Sequence, residues 1–190
     1  MINNMLPSVY DDCKVSLKAA SYDSDNKTYV SESSLMVYNF DEKYRGKPSV
    51  MEKYYEVHKL LPVTEKANSC DAFYVSVGRN NEKYLIEFKN SPLSNIDHTN
   101  MKEKLLGSLL VLTDIYQAGI SDFRKNITFM LVYSNEKDRL KERASDRARS
   151  SRLNFTKYEK IYYKQCIILG DEKFQQQFVD SWEKGEVKSP

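Results

Sequence analysis

The chain has 190 residues, of which 41% are hydrophobic and 12% aromatic, with only 6 Gly and 5 Pro. That is enough apolar material to pack one domain, and too little Gly and Pro for a fibrous or low-complexity protein. Charged residues reach 29%, yet the formal net charge is only +2, so any nucleic-acid footprint has to be local.

In chain order, residues 1–27 are mixed and polar, with SYDSDNK reading as a turn. The stretch 28–40 has strand-like chemistry with imperfect alternation. Residues 41–61 read as helical after Pro48, which suits a first helical turn; Met51, Tyr54 or Tyr55, His58 and Leu61 recur every three to four positions, and Pro62 stops the pattern. CDAFYVSVG at 70–78 and YLIEFKN at 84–90, joined by the polar RNNEK, predict a β-hairpin. On the first strand Ala72, Tyr74 and Ser76 face one way, and Asp71, Phe73, Val75 and Val77 the other.

The clearest helix is expected from about Asn100 to Ala118. Asn100 and Glu103 would form its capping box, and Gly119 would lie just past its end. Its apolar stripe is Met101, Leu105, Leu109, Leu112 and Tyr116, widened by Leu106, Leu110 and Ile115. ITFMLVY at 127–133 is a nearly continuous apolar run, as in a strand buried on both faces, which makes the preceding helix a crossover within one sheet. Residues 137–152 hold seven Lys or Arg against three acids. IYYKQCIIL at 161–169 reads as a strand, and 171–182 as an amphipathic helix through Phe174, Phe178 and Trp182. The predicted class is therefore α/β (α+β), a mixed central sheet flanked by helices. One domain covers 1–190, with a core at 40–135, a basic segment at 137–153 and a C-terminal strand and helix at 154–184.

Cys13, Cys70 and Cys166 are far apart and form no CxxC pair, which argues against a zinc site or disulfide framework and for buried or half-buried thiols. With only His58 and His98, a histidine metal site or a Ser-His-Asp triad has little to draw on. No apolar run approaches the roughly 20 residues of a membrane span, and the first residues lack a signal-peptide pattern, so a cytoplasmic protein without membrane contact is expected.

The chemistry-bearing pattern is Asp71 followed by Glu87-Phe88-Lys89. Glu87 and Lys89 are two apart on a strand and share a face, and the hairpin brings Asp71 to the same end. Two carboxylates offer hard oxygen ligands to Mg²⁺, and a lysine beside them can orient water and stabilise charge developing on a phosphate. If these groups form a site, they should lie within about 5–6 Å of one another. The plainer alternative is a surface ion pair on a half-exposed strand.

Helix, hairpin with D…ExK, helix and buried strand resemble the αβββαβ core of the PD-(D/E)XK nuclease superfamily over roughly 40–135. CDAFYV…KYLIEFKN…LVYSNEK also resembles a group of small bacterial proteins with an IEFKN-type strand. Cys70-Asp71 stands where the family has Pro-Asp. The resemblance implies catalytic roles for Asp71, Glu87 and Lys89, with Asp71 and Glu87 holding Mg²⁺ or Mn²⁺. It also implies a further carboxylate from the helix before the hairpin, for which Glu56 is the candidate, with Glu52 and Glu42 behind it. Asp97 is a weaker extra ligand. Arg139, Arg143 and Arg147 fall on one helical face and would track phosphates; a solvated charged helix is the plainer reading. Tyrosines could stack bases, against a simpler role in packing. Two functions follow: a metal-dependent nuclease acting on nucleic acid, expected to be DNA, or a non-catalytic interaction protein on the same scaffold, such as an immunity protein that binds a partner toxin.

Overall fold

The computed structural model describes residues 5–60, 66–76, 81–134 and 155–185. Its centre is a six-stranded mixed sheet. The strands are β1 (Lys14–Ser16), β4 (Met36–Asn39), β5 (Ala72–Val75), β6 (Lys83–Lys89), β7 (Ile127–Tyr133) and β8 (Gln165–Gly170), in that spatial order. A separate two-stranded ribbon pairs β2 (Tyr22–Asp23) with β3 (Thr28–Tyr29). The expected strand at 28–40 is therefore two short strands, separated by residues 30–35. From β1 to β6 the sheet neighbours are antiparallel; β7 and β8 then join in parallel.

The predicted hairpin is present, with Ala72 opposite Ile86 and Val75 opposite Lys83. The ITFMLVY run is β7 residue for residue, and all seven side chains are buried between its parallel neighbours and the layers above and below. Its β-branched and aromatic residues suit a pleat covered on both faces. The last sheet strand starts later than predicted: residues 161–164 lie in turns, and Gln165 opens β8.

One sheet face carries Tyr38, Phe73, Leu85, Phe129 and Leu131 in a core shared with α2 (Val50–Val57), α3 (His98–Ile115) and α4 (Ile120–Asn126). The other carries Val37, Ala72, Tyr74, Ile86, Met130 and Val132. Packed on it are α1 (Leu17–Ala20) and a C-terminal segment built from α5 (Asp171–Phe174), a π-helical turn (Gln175–Val179) and α6 (Asp180–Glu183). Tyr74 and Tyr84 pack on Trp182 at centroid distances of 4.4 and 4.8 Å, so these tyrosines serve the core rather than a base-stacking surface.

Several helix ends differ from expectation. Ser49 caps α2 in a complete capping box with Glu52, placing Pro48 outside the helix. Asp97 caps α3 by accepting from the backbone of Thr99 and Asn100, so the helix starts at His98 and the Asn100/Glu103 box is not used. Asp97 Oδ1 thus serves a helix end. Gly119 is the N-cap of α4, while Gln117 takes the left-handed conformation at φ 48°. On α3 the buried residues are Met101, Leu105, Ser108, Leu109, Val111 and Leu112, whereas Leu106 and Leu110 are exposed. The covered stripe is narrower than the leucine pattern suggests and contains a serine. Cys13 and Cys70 are buried free thiols and Cys166 is half-buried. Among the described residues no helix is long and apolar enough to cross a membrane.

Candidate functional site

The alternation along β6 sends Tyr84, Ile86 and Phe88 to one face and Leu85, Glu87 and Lys89 to the face covered by α3. Glu87 is fully buried. Across the hairpin, Asp71 sits one residue before β5, and its Oδ2 accepts a 2.6 Å hydrogen bond from the Phe88 backbone N–H. This carboxylate continues the sheet ladder where the backbone pairing stops. Lys89 reaches Glu87 Oε1 at 2.8 Å. The three residues singled out by the D…ExK pattern thus meet at the end of the hairpin away from its turn.

A fourth group completes the cluster, and the sequence reading did not name it. Lys104, on the covered side of α3, places Nζ 3.0 Å from Glu87 Oε1, 3.4 Å from Asp71 Oδ1 and 3.4 Å from Asp41 Oδ2. Asp41 follows β4 by two residues and is held by Ser69, whose hydroxyl donates to Oδ1 at 2.8 Å. The helix is tied to the hairpin one turn further on. Ser108 Oγ accepts from the Cys70 N–H at 2.8 Å and donates to the Lys104 carbonyl at 2.8 Å. Gly107 makes this closeness possible, because a Cβ there would overlap the Asn68 carbonyl oxygen.

Glu56 is not part of the cluster. It is exposed on α2, pairs with Lys53 at 3.2 Å, and does not line the cleft described below. The third carboxylate beside Lys104 is that of Asp41, just past the end of β4. Of the two reserves, Glu42 lines the cleft beside Asp41, and Glu52 is taken up by the α2 cap and Lys66. His58 caps the end of α2 near Asp114, and His98 opens α3. Arg139, Arg143 and Arg147, with the basic segment that carries them, lie outside the described residues, as do Leu61, Pro62 and Val77.

The cluster opens into a cleft of about 430 Å³. Asp41, Asp71, Lys89 and Lys104 line it together with residues 19–26 and Tyr44, while the fully buried Glu87 does not. The lining also includes Asp23, Asp25, Glu42 and Lys43, so carboxylates outnumber ammonium groups in the cleft.

Burial pushes the Glu87 carboxyl up to about 7, with Asp71 adding to the rise against the pull of Lys104 and Lys89. Asp71 is raised for the same first reason, enclosure, although Lys104, the Phe88 N–H and Lys89 all favour its ionised form. Burial works to lower the Lys104 ammonium, yet Asp71, Glu87 and Asp41 together outweigh it and hold it charged beyond the ordinary lysine range. Both lysines approach Glu87 Oε1 at ion-pair distance, yet neither buried Glu87 oxygen has a well-aligned hydrogen-bond partner among the described residues. Such an atom is costly to leave unmet. Among the described residues no three His, Cys, Asp or Glu side chains form a ready-made metal cage. In this cluster the ammonium of Lys104 takes the centre. The chain matches no family model, no curated protein and no solved structure.

Proposed function

We propose that the chain is a divalent-metal-dependent nuclease of the PD-(D/E)XK type, hydrolysing phosphodiester bonds of DNA in this cleft. One observation carries the reading: Asp71 joins Glu87 and Lys89, sixteen and eighteen residues further on, at one end of the hairpin, and Asp71 and Lys89 line a cleft large enough for a sugar-phosphate. The donor chemistry fits a hard cation. Asp71, Glu87 and Asp41 offer only carboxylate oxygens, and both Glu87 oxygens are buried without a hydrogen-bond partner among the described residues. These residues would hold Mg²⁺ or Mn²⁺, which when bound supplies the charge that polarises a phosphate oxygen and lowers the pKa of a water.

The remaining work falls to the chain's own groups. Lys89 is anchored through Glu87 and lines the cleft, where its ammonium can orient water and stabilise negative charge on the phosphate. Asp71, fixed by the Phe88 N–H, keeps Oδ1 turned towards the centre. The packed sheet and α3 keep solvent from Glu87 on its inner side.

A second reading, a non-catalytic interaction protein such as an immunity protein, has one observation in its favour. The carboxylates already find their counter-charge in Lys104, and a cleft with more acids than lysines repels a bare polyanion. The full-length chain incubated with single- and double-stranded DNA and RNA, with Mg²⁺ or Mn²⁺ and with a chelator, separates the two. The nuclease reading expects metal-dependent cleavage that Asp71→Asn and Glu87→Gln abolish, and that Lys89→Ala slows without loss of metal binding. Cleavage unaffected by Glu87→Gln, or none with any substrate, overturns it.

A further inference from the structure

We infer that Lys104 is a tethered cation that holds the carboxylate cluster together without metal, and that a divalent ion takes its place by driving the ammonium out into the cleft. The inference rests on the metal site of the nuclease reading, and adds a step that the D…ExK pattern does not contain.

Three observations carry it. First, Lys104 Nζ lies 3.0–3.4 Å from oxygens of Glu87, Asp71 and Asp41, so it occupies the point that the three carboxylates share and that a metal held by them would need. Two positive centres cannot share that place, because like charges so close strongly oppose one another. Second, both Glu87 oxygens are buried without a hydrogen-bond partner among the described residues, and Lys104 approaches only one of them, as an ion pair. A lysine is a point charge, and its approach here is to Oε1. A multivalent ion with several coordination positions can engage what the ammonium does not.

Third, the side chain has a way out. Lys104 itself lines the cleft, which offers about 430 Å³ beside it. Its backbone need not move, since α3 is fixed by the Asp97 cap and by Ser108, which bridges the Lys104 carbonyl to Cys70. Four rotatable bonds can carry the ammonium towards the opening, where it would meet a phosphate oxygen rather than the metal's ligands. Metal entry and the appearance of a phosphate-facing cation in the cleft would then be one event.

The consequence is a competition that can be measured without activity. If the metal-competent arrangement is only a fraction of the population, the apparent affinity falls by that fraction. Titration of the full chain with Mn²⁺, followed by electron paramagnetic resonance, is the direct assay. Lys104→Gln should bind Mn²⁺ about tenfold or more tightly than wild type, Lys104→Arg should not, and Asp71→Asn should lose binding. In parallel, wild-type protein is treated with an amine-acetylating reagent and read by mass spectrometry, with and without Mn²⁺. Lys104 should be protected without the metal and labelled in its presence, while Lys89 serves as an internal reference.

The outcomes separate the two ideas. Mn²⁺ binding lost in Asp71→Asn but not tightened by Lys104→Gln, with Lys104 equally protected throughout, overturns the tethered-cation inference and leaves the metal site standing. No Mn²⁺ binding by wild type or by Lys104→Gln overturns both. Binding by Lys104→Gln alone supports the inference in its strongest form. Should Lys104→Gln fail to fold, the labelling of wild-type protein still decides.

Discussion

Replacing Glu87 by Gln tests the electrostatics of the cluster through stability alone. Gln has nearly the shape of a protonated Glu and cannot ionise. The wild-type carboxyl releases its proton at about 4.5 in the unfolded chain but holds it to about 7 in the folded protein, chiefly because burial disfavours the charge. Between those values the folded state binds more protons than the unfolded one, so the Glu87 contribution to stability falls as pH rises. Below 4.5 both states are protonated and the contribution is complete; above about 7 both are ionised and it is gone. The interval corresponds to about 3 kcal/mol. Glu87→Gln lacks this loss. Denaturant unfolding of both proteins in steps from about pH 4 to about pH 8 gives a difference curve from which the titrations common to both proteins largely cancel. The variant should gain about 3 kcal/mol on wild type across that range. A flat curve, or one that falls with pH, means that Lys104 and Lys89 hold Glu87 ionised in spite of burial, and refutes the ordering of forces given above.

Leu109→Ala should cost about 2–5 kcal/mol in denaturant melts, as for a large core side chain that cannot be fully replaced by relaxation; no loss would mean that α3 presents another face to the sheet. Gly107→Ala, in the middle of the same helix, would ordinarily gain about 1 kcal/mol from helix propensity. Here the added Cβ overlaps the Asn68 carbonyl, so a loss of about 1–3 kcal/mol is expected, and a raised Tm would show that the helix and the 66–70 segment are not in close contact.

What could be read from the sequence follows from what carries a periodic signal. The β5–β6 hairpin and β7 stand out because alternation and a continuous apolar run are one-dimensional patterns with a direct physical cause. Asp71, Glu87 and Lys89 were found by the same logic, since strand alternation assigns a face. Lys104 carries no such signal, because a lysine beside the leucine stripe of a helix reads as solvated. Its burial depends on three carboxylates contributed by other elements. Asp41 is illegible for a related reason: it lies past the end of β4, where no period reaches, while the family resemblance points to a helix carboxylate such as Glu56. The Asn100/Glu103 box was a valid local pattern, but Asp97 stood three residues earlier and offered the same service.

The bond from the Phe88 N–H to Asp71 Oδ2 has a practical meaning for anyone mapping this protein by mutation. One carboxylate has two employers: Oδ2 closes a rung of the sheet, and Oδ1 faces the cluster. Truncation to alanine removes both at once, so a dead Asp71→Ala protein would be uninterpretable, its silence equally compatible with a broken strand end and with a missing ligand. Asparagine keeps an oxygen for the rung and takes away the charge, which is why the isostere, and not the deletion, carries information at this position. The same reasoning means that an acceptor at position 71 is needed by the fold whatever the chain does, whereas Lys89 closes no rung with its side chain.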